Sequence, residues 1–313
     1  MKKNPYLIGS ALVAALGGLL FGFDTAVISG AEQTLEELFR PVAGMSEKAA
    51  KFWHGFLVAS ALIGTIVGSI SVGKIADSYG RRATMFFLAG LYFVSAIGSA
   101  LAWDWYSFVF FRFVGGLGVG GASVVSPMYI AEISPARMRG RLVALAQFNI
   151  VFGILLAFFS NYIIGLLKLG TIEWRWMFGV EALPAMAYFF LLTLTPRSPR
   201  WLLSVGREEE ARGVLTRVGT DAKGESVDEE IKAIKDSLDI ERHNLREPFF
   251  QRKYMTPILL AVAIAAFNQL SGINAILYYS RRIFESAGFG EHASLLNSVG
   301  LGDVNLLFTM AAL

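Results

Sequence analysis

Residues 6–30 read YLIGSALVAALGGLLFGFDTAVISG, a run in which Asp24 is the single charged side chain. An α-helix needs about 20 mainly apolar residues to cross the ~30 Å hydrocarbon core of a bilayer. The run is too long for a cleaved signal peptide, and Asp24 interrupts it without a small-residue cleavage site. We therefore predict a retained first membrane helix, preceded by Lys2 and Lys3.

The rest of the chain repeats this pattern. Of its 313 residues, 54% are hydrophobic and 17% charged, against roughly 45–50% and about 25% in soluble domains. Seven more apolar runs are bounded by charge, at 52–72, 83–103, 107–131, 142–166, 177–195, 255–280 and 295–313. Disordered, collagenous and disulfide-framework classes are excluded, and a formal charge of +3 is too small to indicate nucleic acid. We predict an all-α membrane protein.

The stretch 197–253 is different, because it holds 24 of the 53 charged side chains (28 basic and 25 acidic), 12 of each sign. Helical spacing occurs within it: Ile231, Ile234 and Leu238 form an apolar stripe, and Glu208 with Arg212 and Asp228 with Lys232 are acid-first pairs four apart. We interpret it as a neutral helical linker on the inner membrane face rather than a regulatory module.

Basic residues set the expected orientation, since Lys and Arg in short loops stay cytoplasmic. With the N-terminus inside, the inner segments before the linker hold Lys2, Lys3, Lys74, Arg81, Arg82, Arg137, Arg139 and Arg141. The outer segments hold Arg40, Lys48, Lys51, Lys168, Arg175, Arg281 and Arg282. We expect a multi-pass protein of the cell (inner) membrane with a cytoplasmic N-terminus.

The domain organisation is lopsided. We predict an N-terminal six-helix bundle over 1–196, a cytoplasmic linker over 197–253 and the start of a second bundle over 254–313. Because Leu313 falls inside an apolar run, we expect further helices to be missing from this sequence.

Three charged residues lie inside predicted spans, where each costs something like 2.5–3.5 kcal/mol on insertion scales. Asp24 is about six residues, and Arg112 and Glu181 are about five, inside the outer ends of their spans. At ~1.5 Å per residue all three lie roughly 8–9 Å below one boundary, so we expect one buried cluster. A nearby cation favours the ionised form of Asp24, and desolvation favours its neutral form. A change in the cation contact or in the desolvation during transport would therefore make Asp24 take up or release a proton. Alternatively, Asp24 and Arg112 form a static pair between helices.

Two inner loops share a further pattern. Residues 73–82 read GKIADSYGRR, and residues 132–141 read EISPARMRGR. Either loop alone is explained by the tendency of basic residues to stay on the inner side of the membrane, but the two loops together are a more specific signal. A glycine-rich run at 116–121, GLGVGG, satisfies the spacing of a dinucleotide fingerprint. It lies inside a span with no preceding strand, so close helix packing explains it better.

Four further features accompany these loops: Arg112 before the glycine-rich run, and the stretches GFDTAVISG (22–30), PMYIAE (127–132) and QLSGIN (269–274). With them, every segment of the chain resembles the sugar porter branch of the major facilitator superfamily. The resemblance implies twelve helices in two six-helix halves around a central sugar site. The chain would then hold the N-terminal half, the inner linker and the first two helices of the C-terminal half.

The resemblance also implies site residues. Symporters of the branch have the acid at Asp24 opposite the arginine at Arg112, with a further carboxylate at Glu181, whereas facilitators commonly lack the first acid. A sugar needs neutral amides that donate and accept, with aromatic walls. The predicted sugar ligands and walls are Gln147, Asn268, Gln269, Asn274, Phe23 and Tyr278, with Tyr279 as a further wall.

An inner gate is expected from Asp77, Arg81, Arg82, Glu132 and Arg139. One departure affects it, since 196–200 read PRSPR where the family usually has Pro-Glu-Ser-Pro-Arg. Arg197 thus reverses a charge that normally joins the gate network.

We predict proton-coupled import of a pentose or hexose. The alternatives are a facilitator on the same fold and a membrane sugar sensor. A sensor would need a long output domain, and the linker is short. No metal cluster, cysteine nucleophile or phosphate loop suggests an enzyme, although His54, His243 and His292 are present. We expect a monomer in the lipid bilayer that binds a monosaccharide and a proton, with no cofactor.

Overall fold

The structure, a computed structural model, describes residues 4–39, 44–219, 227–244 and 251–312. Every regular element in these ranges is helical. Lys2, Lys3 and Arg40, which support the predicted orientation, lie outside the described residues, as does the side chain of His243.

Eight helical segments in the described ranges are long and apolar enough to cross a membrane, as the sequence predicts. Five are the single helices α1 (Pro5–Leu38), α2 (Glu47–Tyr79), α3 (Arg81–Ala100), α4 (Trp105–Ile133) and α5 (Ala136–Leu166). The sixth, Gly170–Leu194, contains α6 (Glu173–Gly179) and α7 (Ala182–Leu191) between two 3-10 turns. The linker region forms α8 (Pro199–Ser204), α9 (Glu208–Val218) and α10 (Val227–Asn244). The seventh, Tyr254–Tyr278, contains most of α11 (Arg252–Leu270) and α12 (Ile273–Tyr278); α13 (Ser280–Ser286) then precedes the eighth, α14 (Glu291–Ala312).

Helix α1 is longer than predicted. The apolar run ends at Gly30, but the helix continues to Leu38 because Glu32 is taken into the protein interior with no exposed surface. Asp24 is therefore 14 residues from the end of its helix. The end of the apolar run does not mark the helix end, and the sequence prediction was wrong on this point.

Two spans are broken where the sequence interrupts the helical hydrogen bonds. In the sixth span, Pro184 has no N–H to donate to the carbonyl of Val180, and α6 and α7 meet there, beside Glu181. In the seventh, Gly272 has a φ of +76°, a left-handed conformation that glycine adopts without strain. Gly272 therefore provides the break between α11 and α12.

The glycine-rich run of α4 serves close packing. A Cβ on Gly116 would lie 2.0 Å from the carbonyl oxygen of Ala61 in α2, and one on Gly120 would lie 2.1 Å from that of Thr65. Only a missing side chain lets the two backbones approach this closely. The packing interpretation is confirmed.

The linker helices pack at the end of the bundle where α1 begins, which we call the linker face. Asn4 caps α1 and donates from Nδ2 to the carbonyl of Val218 in α9 at 2.7 Å. Trp201 of α8 donates from Nε1 to the carbonyl of Asp77 in α2 at 2.9 Å. Ile231 is buried, with Ile234 and Leu238 of the predicted stripe packed beside it against α8 and α9. Arg212 lies 3.9 Å from Glu208, and Asp228 binds Arg212 at 2.6 Å. We call the other end, where α1 ends and α13 lies, the opposite face.

We predict that Gly116→Ala destabilises the bundle by about 1–3 kcal/mol, because the new methyl group overpacks the contact between α4 and α2. Thermal unfolding of the intact protein in detergent, followed by tryptophan fluorescence, measures the loss. Gly118→Ala is the matched control on the same helix, since its Cβ would make ordinary contacts at 3.5 Å and beyond. Equal unfolding temperatures for the two variants contradict the packing argument.

Candidate functional site

A buried ion pair joins α1 to α4 in the interior of the bundle. Arg112 donates from Nη1 to Asp24 Oδ1 at 2.5 Å and from Nη2 to the Asp24 carbonyl oxygen at 3.3 Å. The two residues are 1% and 2% exposed, respectively. Little water therefore screens the pair, and removing either partner leaves an uncompensated charge.

Small and aromatic neighbours make room for the pair. Gly115 follows Arg112 by about one turn of α4, and a Cβ there would lie 2.3 Å from Ser95 Oγ and 3.4 Å from Asp24 Oδ1. The ring of Phe178 lies 5.5 Å from the Arg112 guanidinium carbon, within the range of a cation–π contact. Residues of α1, α3, α4 and α6 thus surround the arginine.

Glu181 completes the predicted cluster. It lies at the break of the sixth span, is 1% exposed, and its charge acts together with those of Asp24 and Arg112. Its Oε1 is buried and has no hydrogen-bond partner among the described residues, as is true of Arg112 Nε. Two ionised carboxylates beside one guanidinium leave a net charge of −1 in the dry interior, and one bound proton makes the cluster neutral. The geometry therefore suits reversible binding of one proton.

The predicted aromatic walls lie close to this cluster. Phe23, on α1, and Tyr278, on α12, are both buried in one apolar cluster. Phe178, whose ring lies beside the Arg112 guanidinium, belongs to the same cluster. Tyr279 is half-buried next to it. The structure thus brings the aromatic residues of the predicted site together with the buried ion pair.

The predicted amides are more widely spread. Asn274 is half-buried on α12, and its Nδ2 donates to Gln269 Oε1 at 3.0 Å across the helix break. Asn268 and Gln269, on α11, and Gln147, on α5, are exposed. Gln269 and Asn274 therefore orient one another, and Asn268 and Gln147 present their amides at the surface of the described part.

An ionic network at the linker face involves three of the predicted gate residues. Arg81 donates from Nε to Glu132 at 3.0 Å and from Nη1 to Asp77 at 2.9 Å. The other oxygen of Glu132 accepts a hydrogen bond from the Ser198 hydroxyl. Arg82 and Arg139 instead donate to backbone carbonyls, Arg82 to those of residues 192 and 193 and Arg139 to that of residue 131. The network thus fastens the end of α2 to the end of α4.

Arg197 does not enter this network through its side chain. Its Nη1 lies 3.4 Å from Glu210 Oε2 in α9, and both side chains are nearly half exposed. The adjacent Ser198 makes the contact with Glu132. The reversed charge at Arg197 therefore binds a linker helix, and the network of Asp77, Arg81 and Glu132 forms without it.

A second buried charge cluster, at the opposite face, was missed by the sequence analysis. Glu32, Glu36 and His54 place ligand-type atoms within 4.8 Å of one another. Arg282 of α13 binds both carboxylates, so a guanidinium already supplies the positive charge that a metal ion would bring. The signal available in the sequence was the spacing of Glu32 and Glu36, one helical turn apart just beyond the apolar run.

Comparison with known proteins gives consistent results. Residues 10–313 match the family model described as "Sugar (and other) transporter". The chain is 40% identical to the D-xylose-proton symporter of Escherichia coli K12 over 99% of its own length and 67% of that protein. It is 37% identical to the arabinose-proton symporter of Bacillus subtilis, over 98% of the chain and 65% of that protein. It thus spans about two thirds of the length of these curated relatives.

A solved structure extends the likeness to the fold. The proton:xylose symporter XylE bound to 6-bromo-6-deoxy-D-glucose is 39% identical to this chain, with a TM-score of 0.87. The match covers 99% of this chain and 69% of that one. The chain therefore has the major facilitator fold and is a multi-pass membrane protein. It corresponds to the N-terminal six helices, the linker and the first two helices that follow.

For the linker-face network, we predict that Glu132→Gln destabilises the protein by about 1.5–3 kcal/mol, since hydrogen bonds to a charged group are lost from a buried position. Asp77→Asn is the control and should cost under about 1 kcal/mol, because the Asp77 side chain is 72% exposed. Both are measured by thermal unfolding in detergent. If Asp77→Asn costs as much as Glu132→Gln, burial is not what gives the network its strength.

Proposed function

Because the chain belongs to the sugar transporter family, we propose that the protein imports a monosaccharide together with protons by alternating access. The members of this family are transporters rather than enzymes. The observation that carries the proposal is the buried pair of Asp24 and Arg112 with the unpartnered oxygen of Glu181 beside it. A facilitator has no need of this arrangement, since a passive carrier gains nothing from an exchangeable buried proton.

The coupling chemistry follows from the charge of the cluster. Asp24, Glu181 and Arg112 together carry −1 when both carboxylates are ionised. A proton taken up from one side neutralises the cluster and lowers the cost of enclosing it. Rearrangement of the guanidinium on the other side restores the charge and releases the proton. Asp24 is the coupling group in this scheme, with Arg112 its switchable partner and Glu181 an auxiliary carboxyl.

The sugar binds next to this cluster, lined by the amides of Gln147, Asn268, Gln269 and Asn274 and by the rings of Phe23 and Tyr278. Two features support this assignment: the mutual orientation of Gln269 and Asn274, and the burial of Tyr278 in the apolar cluster that includes Phe178 beside Arg112. The sugar is a pentose or a hexose, in keeping with the xylose and arabinose named for the relatives and the bromodeoxyglucose named for the solved structure.

The topology proposed with this function places the linker face in the cytoplasm of a cell whose inner membrane holds the protein as a monomer. The excess of basic residues at that face supports the orientation. Residues 1–196 act as one bundle, 197–253 as the cytoplasmic linker and 254–313 as the start of the second bundle.

The inner gate in this scheme is formed by Asp77, Arg81 and Glu132, with Arg82 and Arg139 holding the loop backbones. The contact between Arg81 and Glu132, whose side chains are 11% and 9% exposed, supports the assignment. A gate at the linker face has to break and re-form such contacts as access alternates.

The coupling proposal is tested with Asp24→Asn. Asparagine keeps the size and hydrogen bonding of aspartate but cannot exchange a proton. We expect accumulation of labelled sugar driven by a pH gradient to be lost in proteoliposomes. Exchange of labelled for unlabelled sugar should persist, because exchange needs no net proton movement.

Glu37→Gln is the matched control, an exposed carboxyl group on the same helix, and it should leave accumulation unchanged. If Asp24→Asn still concentrates sugar, Asp24 is not the coupling group and Glu181 is the next candidate. If the unmodified protein ignores the pH gradient, it is a facilitator and the pair with Arg112 is structural.

The sugar-site proposal is tested with Gln269→Ala and Asn274→Ala. Each should weaken sugar binding by roughly 1–3 kcal/mol, the cost of leaving a sugar hydroxyl unpaired in a dry site. Calorimetry on the intact protein measures the affinity. Asn297→Ala is the control, an amide on α14 outside the proposed site. Unchanged affinity in both site variants rejects them as ligands.

A further inference from the structure

Two neighbouring cavities at the linker face are lined by the same two arginines, Arg82 in the first turn of α3 and Arg197 just before α8. The smaller cavity measures about 300 Å³. The larger measures about 560 Å³ and is also lined by Arg217 of α9. Pockets that hold small ligands measure roughly 300–1,000 Å³. We call Arg82, Arg197, Arg217 and these two cavities the arginine pocket.

Positive charge in the arginine pocket exceeds the negative charge of its lining. The larger cavity has three arginines and one carboxylate, that of Glu210. Arg197 reaches this carboxylate only at 3.4 Å, and Glu210 also pairs with Arg207. The smaller cavity has no acidic residue among the described residues that line it, and its third arginine, Arg81, is already paired in the ionic network of the linker face. The pocket therefore attracts an anion.

Arg82 is held in place and keeps donors available. It donates from Nε to the carbonyl of residue 192 at 3.2 Å and from Nη2 to that of residue 193 at 2.9 Å. A guanidinium has five N–H donors, so three remain without an acceptor in the described part of the chain. The guanidinium carbon also lies 5.6 Å from the centre of the Phe86 ring. A planar group fixed in this way is suited to binding a phosphate through two parallel hydrogen bonds.

The backbone of α3 adds donors beside these arginines. The smaller cavity is lined by residues 80–83, the start of this helix. No side chain caps the first turn of α3, and the turn contains no acidic residue. The N–H groups and the dipole at a helix start favour a negative charge. This turn adds to the attraction of the arginines, which carry the argument.

The surroundings of the pocket indicate which kind of anion it suits. Leu194, at the end of the sixth span, lines the larger cavity and is 67% exposed. Phe190, one turn earlier, is 64% exposed, and Phe87 of α3 is exposed as well. The pocket therefore lies where apolar surface of two spans meets the charged linker, which is the level of lipid headgroups. A free phosphate ion makes no use of the apolar residues.

We propose that the arginine pocket binds the phosphate group of an anionic phospholipid, with its acyl chains along the exposed apolar residues of α3 and the sixth span. Arg197 makes the site particular to this chain, because the family usually has Glu at this position. A lipid bound there bridges the start of α3 and α9. The inference requires only that the chain spans a membrane, since neither the sugar nor the coupling group enters it.

Native mass spectrometry of the intact protein in detergent, titrated with dioleoylphosphatidylglycerol, tests the proposal. We expect one molecule of this lipid to bind more tightly than those that follow it. Dioleoylphosphatidylcholine has the same acyl chains but no net charge, and it should bind more weakly in the first step. Equal affinity for the two lipids contradicts a site based on charge.

Variants of Arg197 locate the bound lipid. Arg197→Gln should weaken the first binding step about fivefold and Arg197→Glu about 30-fold, the effect of one and of two units of charge at a membrane surface. Arg197→Lys keeps the charge and should retain most of the affinity. Arg137→Gln, an exposed arginine of α5 outside the pocket, is the matched control and should leave the affinity unchanged.

Equal affinity of the unmodified protein and Arg197→Glu overturns the proposal, and so does an equal loss in Arg137→Gln. The Glu variant carries the residue that the family usually has, so the fold accommodates it. Glycerol phosphate, the soluble headgroup, distinguishes the two sources of phosphate and should not displace the lipid at equal concentration. Displacement assigns the pocket to a free phosphate and overturns the lipid assignment. Because no transport is measured, failure here is distinct from failure of proton-coupled import, which is judged by accumulation in proteoliposomes.

Discussion

A charge enclosed among apolar helices must have a counter-charge within contact distance, and this constraint determines much of the architecture. Arg112 is almost fully buried, α1 brings Asp24 to it, α4 carries glycine at residue 115, and the sixth span carries Glu181 at its break. A static pair would need only Asp24 and Arg112. The third ionisable group leaves the cluster one proton away from neutrality, which is the property that proton-coupled movement needs.

Much of this was predictable from sequence, because the interactions responsible are local or strongly patterned. Eight apolar runs gave eight membrane-length segments, and the charges inside three of them met in one cluster. The unwinding at Gly272 and the close packing at Gly116 followed from residues whose backbone requirements are specific. The family resemblance added the roles of these residues, which hydropathy alone does not contain.

What the sequence did not reveal depends on contacts between distant segments. In the sequence, Glu32 is indistinguishable from the polar end of a helix. Its burial is stabilised by His54 and Arg282, which approach it from other helices. Arg281 and Arg282 were predicted to be outer loop charges, yet they bind α1. The exposure of Gln147 and Asn268 likewise depends on which helices cover them, a tertiary property with no signature in a single sequence.

Helix α1 connects the sites that these contacts create. Asn4 fastens its start to α9, Asp24 lies in its middle, and Glu32 follows by eight residues, or about 12 Å. Eight residues complete two turns and about 80° more, so Asp24 and Glu32 lie two turns apart on adjoining faces of one helix. Since α12 and α13 both pack on that helix, Tyr278 and Arg282 lie against the same element that carries Asp24 and Glu32. The interior cluster around Asp24 and the contacts of Glu32 at the opposite face are thereby connected through a single element, with no need for a relay of intervening side chains.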